Sequence, residues 1–300
     1  MNRVSPFIVL LIINELCGEE NSAPRNTGNN GNECLEGVLQ LQFAARSGFS
    51  FPTLADFKSR EAWLDAIEAK DIVPLYTARA VANANTDPTL YTTGDFEYQT
   101  SPGAEITTYE CYLGFCSHSA LYSYVNSDYT HVFELNTDGS ILGINTATGA
   151  IKGRDAKITV GIRQRPVLDK PATTPVRVNY KDYKDVINNA VLIKTTWGAD
   201  LRGIFDVNLT QVSATSTSIR FKAITDCGNR PLTTLTASDI IVRNAAGVVQ
   251  TVTFVPADAN GEYRVTGTTI VDGWTIEVDG VVVIGEVMYE ADGVLTVDVT

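Results

Sequence analysis

The chain has 300 residues, of which 44% are hydrophobic and 19% are charged. At about 100–200 residues per domain, this length suggests two domains, each able to bury a core. The 23 basic and 35 acidic residues give a formal net charge of −12. Such a balance disfavours tight binding of DNA or RNA, because those binders need a surface that neutralises phosphates. The odd count of five cysteines, with one close pair, argues against a disulfide framework.

Residues 1–31 differ from the rest of the chain. Met1 to Arg3 precede the apolar run 7–13 (FIVLLII), which resembles the charged and apolar regions of a secretory signal. The run is shorter than the ~20 residues that a bilayer span needs. Glu15 and Leu16 make a poor processing site, so two interpretations stay open: a lipoprotein signal with Cys17 as the lipidated residue, or a translation start placed too far upstream. Residues 18–31 are a polar linker.

The pattern from 32 to 205 predicts a β-rich body with one or two short helices. Leu39, Leu41 and Phe43 alternate as on a half-buried strand. Residues 59–70 predict a helix that Ser59 caps, with Trp63, Ala66, Ile67 and Lys70 on one face. Further elements are a helix at 119–125, a hairpin turning at 137–139, and strands at 156–165 and 176–180.

Residues 206–300 predict an immunoglobulin-like β-sandwich. About seven short strands follow one another, separated by Asn-Gly and Asp-Gly turns at 260–261, 272–273, 279–280 and 292–293. The segment 258–265 resembles the corner before a late strand of immunoglobulin-like domains, in which the hydroxyl of Tyr263 would bond back to the preceding loop. Cys227 is the only cysteine here, so the domain has no internal antibody-type disulfide. The predicted fold class is therefore mainly β: a β-sandwich or barrel-like body followed by an Ig-like β-sandwich.

The sequence carries no motif of a nucleotide-binding loop, a nucleophile elbow or a zinc-protease helix. Cys111, Cys116 and His118 have metal-like spacing, but zinc normally takes four ligands and only His131 lies nearby. The alternative is that these cysteines act as small hydrophobic side chains. We therefore predict no enzyme, no cofactor, and no catalytic, cofactor-binding or metal-binding residues. A glycosidase pair of carboxylates stays open, because the separation of two acids is invisible in a sequence.

Basic residues gather between positions 152 and 170: Lys152, Arg154, Lys157, Arg163, Arg165 and Lys170. One interpretation is a contact patch that meets acidic neighbouring subunits. The other is an ordinary solvated strand face.

Several segments together resemble virion structural proteins of tailed phages, particularly phages of Bacteroidota hosts. They are residues 32–37 (NECLEG), residues 57–74 around Trp63, residues 176–180 (VRVNY), and the appended Ig-like module. The resemblance implies a β-rich tail-tube subunit that assembles into stacked rings, commonly hexameric, with a β-barrel lining the lumen. Its partners would be copies of itself and other tail proteins, with genome DNA as passing cargo and no membrane in the mature virion.

Physical reasoning is compatible with that role. Subunits of a tube need extended arms and open sheet edges that pair between chains, and the long loops 78–102 and 164–175 are candidates for these arms. An acidic lumen would repel DNA phosphates and let the genome slide. Three alternatives remain open. One is another virion role, such as a head decoration, ring or fibre-base protein. The others are a secreted or lipid-anchored bacterial surface protein that acts as an adhesin or carbohydrate-binding module, and a polysaccharide hydrolase.

Overall fold

The computed structural model describes residues 37–182, 185–186, 189–227, 229–285 and 287–299. The fold is mainly β, with 47% strand, 12% helix and three helices, which confirms the predicted fold class. The leader predicted at 1–31 and residues 32–36 of the phage-like segment lie outside the described residues. The chain divides into two compact units, Met1–Leu201 and Arg202–Thr300. The division predicted between 205 and 206 falls inside one strand of the second unit.

The helices whose bounds the described residues define in the first unit are α1 (Leu54–Lys58), α2 (Arg60–Glu68) and α3 (Phe115–Tyr122). Its strands are β1 (Leu39–Ala45), β2 (Ile72–Pro74), β3 (Arg79–Asn83), β4 (Thr89–Thr93), β5 (Phe96–Ser101), β6 (Glu105–Cys111), β7 (His131–Asn136), β8 (Ser140–Asn145), β9 (Ile151–Lys152), β10 (Arg154–Val160), β11 (Thr174–Tyr180) and β12 (Ala190–Lys194). A 3-10 turn follows at Gly198–Asp200.

The second unit contains β13 (Ile204–Thr215), β14 (Ser218–Thr225), β15 (Pro231–Leu232), β16 (Ile240–Arg243), β17 (Thr253–Val255), β18 (Tyr263–Thr266), β19 (Thr275–Val278), β20 (Val281–Ile284), β21 (Val287–Ala291) and β22 (Leu295–Thr296). A 3-10 turn lies at Ala237–Asp239.

The main sheet of the first unit runs in the order β12-β8-β7-β10-β11-β6-β3, and β1 pairs with β7 and β2. Backbone hydrogen bonds from Leu75 to Gln42 and from Ala78 to Gln40, both 2.8 Å, continue the pairing along β1 beyond β2. The sheet thereby curls into a half-barrel. Apolar side chains fill its interior, among them Ala44, Tyr109, Val132, Ile158 and Val178.

A second, aromatic core lies on the other face of β1. Trp63 of α2 is fully buried, and its ring centroid lies 4.9 Å from those of Phe43 and Phe51 and 5.2 Å from that of Phe133. Its indole N–H donates to the Phe57 carbonyl at 2.8 Å. Leu41 to Ala45 are consequently buried on both faces of the strand, so the half-buried strand predicted here was wrong. Alternation in the sequence shows one apolar face but not that helices cover the other.

The helices begin where side-chain caps allow. Ser59 accepts a hydrogen bond from the Ala62 N–H, as predicted, and α2 buries Trp63, Ala66 and Ile67. Lys70 was wrongly included, because it lies beyond the helix end in the left-handed region, at φ 60°. The helix predicted at 119–125 is instead α3, which begins four residues earlier.

The second unit contains a seven-stranded sheet and a three-stranded sheet, β16-β19-β22. Ile219, Phe221 and Ala223 are buried on one face of β14, as the alternation predicted. Three strands were missed: the two-residue β15, the long β13, and β21, which pairs parallel to β13 with Ile204 opposite Met288. None of them contains a clean apolar alternation.

Tyr263 fixes the core of the second unit. Its fully buried hydroxyl donates to the Leu232 carbonyl at 2.7 Å and accepts from the Leu235 N–H at 3.1 Å. Its partners are therefore in the segment after β14, and the predicted bond to the loop directly before Tyr263 is replaced by a longer-range one. Burial raises the pKa of this phenol above its ordinary value.

Candidate assembly surface

A β-hairpin stands apart from the main sheet of the first unit. Strands β4 and β5 form a two-stranded sheet of their own, and every residue in them is exposed. We call residues 89–101 the aromatic hairpin. The prediction of one long loop over residues 78–102 is wrong, because Thr- and Tyr-rich stretches on both sides of a Gly-Asp turn pair as strands.

Local chemistry explains the turn. Thr93 pairs with Phe96, which leaves a two-residue loop of Gly94 and Asp95. Gly94 has φ 61°, a left-handed conformation that glycine adopts without steric cost. Such tight loops have the twist that suits an antiparallel hairpin.

The base of the hairpin is tied to the barrel by a ladder of hydrogen bonds. The Ala84 N–H donates to the Ile106 carbonyl at 2.8 Å, and the Thr86 N–H donates to the Ala104 carbonyl at 3.0 Å. In return the Ile106 N–H donates to Asn85 Oδ1 at 2.7 Å. The arm is therefore a continuation of β3 and β6 and has a fixed direction at its base.

The hairpin has one aromatic face. Tyr91 pairs with Tyr98, so these side chains lie on the same side, together with Phe96 two residues along. These three rings are 59–69% exposed, and Leu90 on the opposite face is 50% exposed. An isolated two-stranded hairpin is marginally stable in water, and a cluster of exposed rings on a soluble protein typically marks an interaction site.

A second projection lies between β10 and β11. Residues 161–173, which we call the basic loop, form a short ordered hairpin through the bridges Gln164–Thr173 and Val167–Lys170. Ile162 is 90% exposed, Leu168 is fully exposed, and Val167 is exposed as well. The predicted strand 156–165 in fact ends at Val160, and the predicted loop 164–175 contains these two bridges.

The two projections lie at opposite ends of the same strands. The aromatic hairpin leaves the sheet at Asn83 and returns at Glu105, which is opposite Tyr180 at the end of β11. The basic loop leaves at Val160, opposite Val176 near the start of β11. At about 3.3 Å per residue, the seven-residue strand β11 separates these ends by roughly 20 Å. The projections of one chain therefore do not meet each other.

The basic cluster of the sequence does not form one patch. Arg154 is 4% exposed and pairs with Glu105 and Glu134, while Lys152 pairs with Asp155 at 2.9 Å. Within the basic loop, Arg163 donates to the Leu113 carbonyl and lies over the Phe115 ring, at 4.1 Å from its centroid. The predicted outward-facing strand for Arg163 is thus wrong. Arg165 is exposed and keeps its charge toward solvent.

A buried polar network occupies the barrel beneath the aromatic hairpin. Arg154 donates to both Glu105 oxygens at 2.9 and 2.5 Å, and its guanidinium lies 3.8 Å from the centroid of the Tyr180 ring. Gln42 accepts from the Tyr109 hydroxyl at 2.9 Å and donates to the Tyr180 hydroxyl at 3.0 Å. The Tyr180 hydroxyl also donates to Glu134.

Burial and charge shift the pKa values in this network. Burial raises the pKa of Tyr109 and Tyr180 well above the ordinary phenol value. Burial opposes the charge of Arg154, but the hydrogen bond to Glu105 and the charges of both carboxylates outweigh it, so the Arg154 pKa is raised. The guanidinium therefore stays charged, and both carboxylates already have donors. The arrangement is that of a structural ion-pair network.

A cleft of about 470 Å³ opens beside this network, lined in part by Glu105, Glu134 and Arg154. A neighbouring cleft of about 450 Å³ is lined by residues of β1 and by the segment 77–81.

The residues considered for catalysis or metal binding have separate partners. Cys111 is buried in the barrel, where burial raises its pKa to about 12, and Cys116 lies exposed on α3. His118 Nδ1 lies 3.0 Å from Thr174 Oγ1, and His131 Nε2 lies 2.8 Å from Asp155 Oδ1. Among the described residues, neither histidine has both a hydroxyl and a carboxylate partner, as a Ser–His–acid triad requires.

Within the described part of the chain, no helix combines the length and apolar character needed to cross a membrane. Comparison of the sequence with protein-family models and with curated proteins finds no match.

The aromatic hairpin was not predicted, because residues 78–102 were interpreted as one long loop that reaches a neighbouring subunit. The signal was present in the pair of Tyr- and Thr-containing runs on either side of Gly94-Asp95, which is a hairpin pattern. The buried polar network could not be predicted from the sequence, because it joins residues up to 138 positions apart.

Proposed function

We propose that this chain is a virion structural protein, specifically a tail-tube subunit that assembles with copies of itself into stacked rings around a DNA conduit. The Ig-like unit would be an appended decoration. The observation that carries the proposal is the aromatic hairpin: a projecting arm with three exposed rings and an ordered base. A surface of this kind is stabilised when a second chain covers it.

The half-barrel supports the proposal in a second way. Within the described residues, β12 and β3 end the main sheet, so each has one edge that no strand of that sheet covers. Open edges offer backbone groups to another chain, and natural proteins protect them when they stay monomeric. Repeated, directional backbone pairing is what a tube of identical subunits needs.

Charge is compatible with a conduit for DNA. The net charge of −12 disfavours adhesion to phosphates, so DNA would be non-specific cargo that passes without binding. The second unit, Arg202–Thr300, has 6 basic and 12 acidic residues and so contributes half of the net negative charge.

The experiment is to purify the full chain and follow its size from low to high micromolar concentration by light scattering and negative-stain electron microscopy. The proposal predicts rings or tubes whose abundance rises with concentration. A chain that remains monomeric throughout would overturn it. A matched variant replaces residues 89–101 by a short Gly-Ser turn. It keeps the hydrogen-bonded base of the hairpin and should not assemble.

The alternative function, a secreted or lipid-anchored surface protein, depends on the leader at 1–31, outside the described residues. Mass spectrometry of the mature N-terminus separates the two functions. Cleavage before an acylated Cys17 would establish export, whereas an intact leader or a start near residue 31 would remove the main support for it.

A further inference from the structure

We infer that the aromatic hairpin of one copy docks onto the basic loop of the next copy, so that the assembly contact is head-to-tail. This inference rests on the proposed self-assembly and names the two surfaces that make it. Both surfaces are projections of the first unit, and both expose apolar side chains that the other described residues leave uncovered.

The charges of the two projections are complementary. The segment 84–104 has three acidic residues, Asp87, Asp95 and Glu97, and no basic residue. The basic loop, 161–173, has three basic residues, Arg163, Arg165 and Lys170, and one acidic residue, Asp169. Two hairpins of the same kind would repel each other, as would two basic loops, whereas a hairpin and a loop attract. Such complementarity selects a partner surface and speeds encounter.

The apolar groups match in kind as well. The hairpin presents the face of Tyr91, Phe96 and Tyr98, and the loop presents Ile162, Val167 and Leu168. Aromatic rings against branched aliphatic side chains form the core of many protein interfaces, while charges remain at the rim. Asp95 at the hairpin tip and Arg165 beside Val167 are placed to form that rim.

The position of the projections determines the symmetry. Because the two projections leave opposite ends of the same strands, the aromatic hairpin of one copy cannot cover its own basic loop. A twofold contact of hairpin with hairpin, or of loop with loop, would leave the other projection uncovered. A contact between unlike surfaces is heterologous, and it repeats until a ring closes or a stack extends. Head-to-tail docking therefore yields rings or stacks, and electron microscopy distinguishes these from the closed dimer that two copies would form by exchanging both contacts reciprocally.

The test uses two charge-reversed versions of the full chain. In D95K/E97K the hairpin becomes basic, and in R165E/K170E the loop becomes acidic. All four side chains are exposed. The Lys170–Glu110 pair that the second variant removes joins side chains that are 44% and 23% exposed, so its loss should cost little stability and the fold should be retained. The control D65K/E68K makes the same charge change as the hairpin variant on the exposed face of α2.

Each charge-reversed variant alone should need about tenfold or more higher concentration than wild type to assemble, because like charges then face each other. An equimolar mixture should assemble at close to the wild-type concentration, since each hairpin again meets a loop of opposite charge. The control should behave as wild type. Leu168→Ser should weaken assembly without changing the circular dichroism spectrum.

The outcomes separate the two claims. If wild type assembles, but the mixture does not recover or the single variants assemble normally, the hairpin–loop contact is wrong and the proposed function stands. If wild type itself does not assemble at any concentration, both fail.

Discussion

Arg154 on β10 reaches past the neighbouring strand β11 and donates two hydrogen bonds to the carboxylate of Glu105 on β6, at 2.9 and 2.5 Å. Glu105 is the residue at which the chain returns from the aromatic hairpin into the barrel. The pair therefore links the interior of the barrel to the base of the projecting arm, over the face of Tyr180.

Removal of this guanidinium should strongly destabilise the protein. Arg154→Met keeps much of the side-chain volume but leaves Glu134, whose side chain is 13% exposed, without its cation. Breaking a buried ion pair in this way costs about 3–5 kcal/mol of unfolding free energy. Urea unfolding of the full chain measures it. Lys152→Met is the control, because its partially exposed pair with Asp155 should cost about 1 kcal/mol or less; equal losses in the two variants would contradict the network.

Loss of the Tyr263 hydroxyl should lower the unfolding free energy of the protein measurably. Tyr263→Phe leaves the Leu232 carbonyl and the Leu235 N–H buried without their partner. The expected loss is about 1–3 kcal/mol in unfolding free energy. Tyr289→Phe is the matched control on β21, where the ring is only partly buried. Thermal unfolding of both variants measures the difference, and a Tyr263→Phe protein as stable as its control would refute this role.

Gly153 should not tolerate a methyl group. A Cβ at this position would lie 2.8 Å from the Val132 nitrogen and 2.9 Å from its carbonyl carbon, and both are backbone atoms of β7. Gly153→Ala should therefore destabilise the barrel by about 1–3 kcal/mol through overpacking. Gly293→Ala is the control, since nothing lies within 4 Å of its Cβ position. Equilibrium unfolding that ranks the two variants equally would show that Gly153 and β7 do not approach so closely.

Cys111 predicts a dependence of stability on alkaline pH. Burial raises the pKa of its thiol from about 9 to about 12. A raised folded-state pKa contributes stability that is fully present below pH 9 and is lost as the pH rises toward 12. Between pH 8 and pH 10.5, wild type should therefore lose more unfolding free energy than Cys111→Ala. Identical pH slopes, or rapid alkylation of Cys111 in the folded protein at pH 8, would contradict its burial.

The sequence predicted those elements whose signals are local. Ser59 at the start of α2, the turn at Gly139 and the alternation of Ile219 with Phe221 each depend on neighbouring residues, and each is present in the structure. β21 was missed because its parallel pairing with β13 joins positions more than 80 residues apart. No local pattern records such a pairing.

The candidate assembly surface was predicted only in part. Its location followed from the long stretch between two strands, but the exposure of Phe96 and Tyr98 depends on how the barrel packs below them. The interpretation of the basic residues between 152 and 170 as one patch is wrong for the same reason. Arg154 looks like a surface residue in the sequence, yet the sheet places it beside Glu105 and Glu134. Composition gives the number of charges, and the sheet register decides which of them face solvent.

Self-association through the aromatic hairpin is tested most directly by sedimentation velocity of the full chain and of the variant that replaces residues 89–101 by a short turn. Both are compared over a hundredfold range of concentration. The intact chain should shift to large species as concentration rises, and the variant should sediment as a folded monomer throughout. Monomeric behaviour of both proteins, or identical large species in both, would contradict the account.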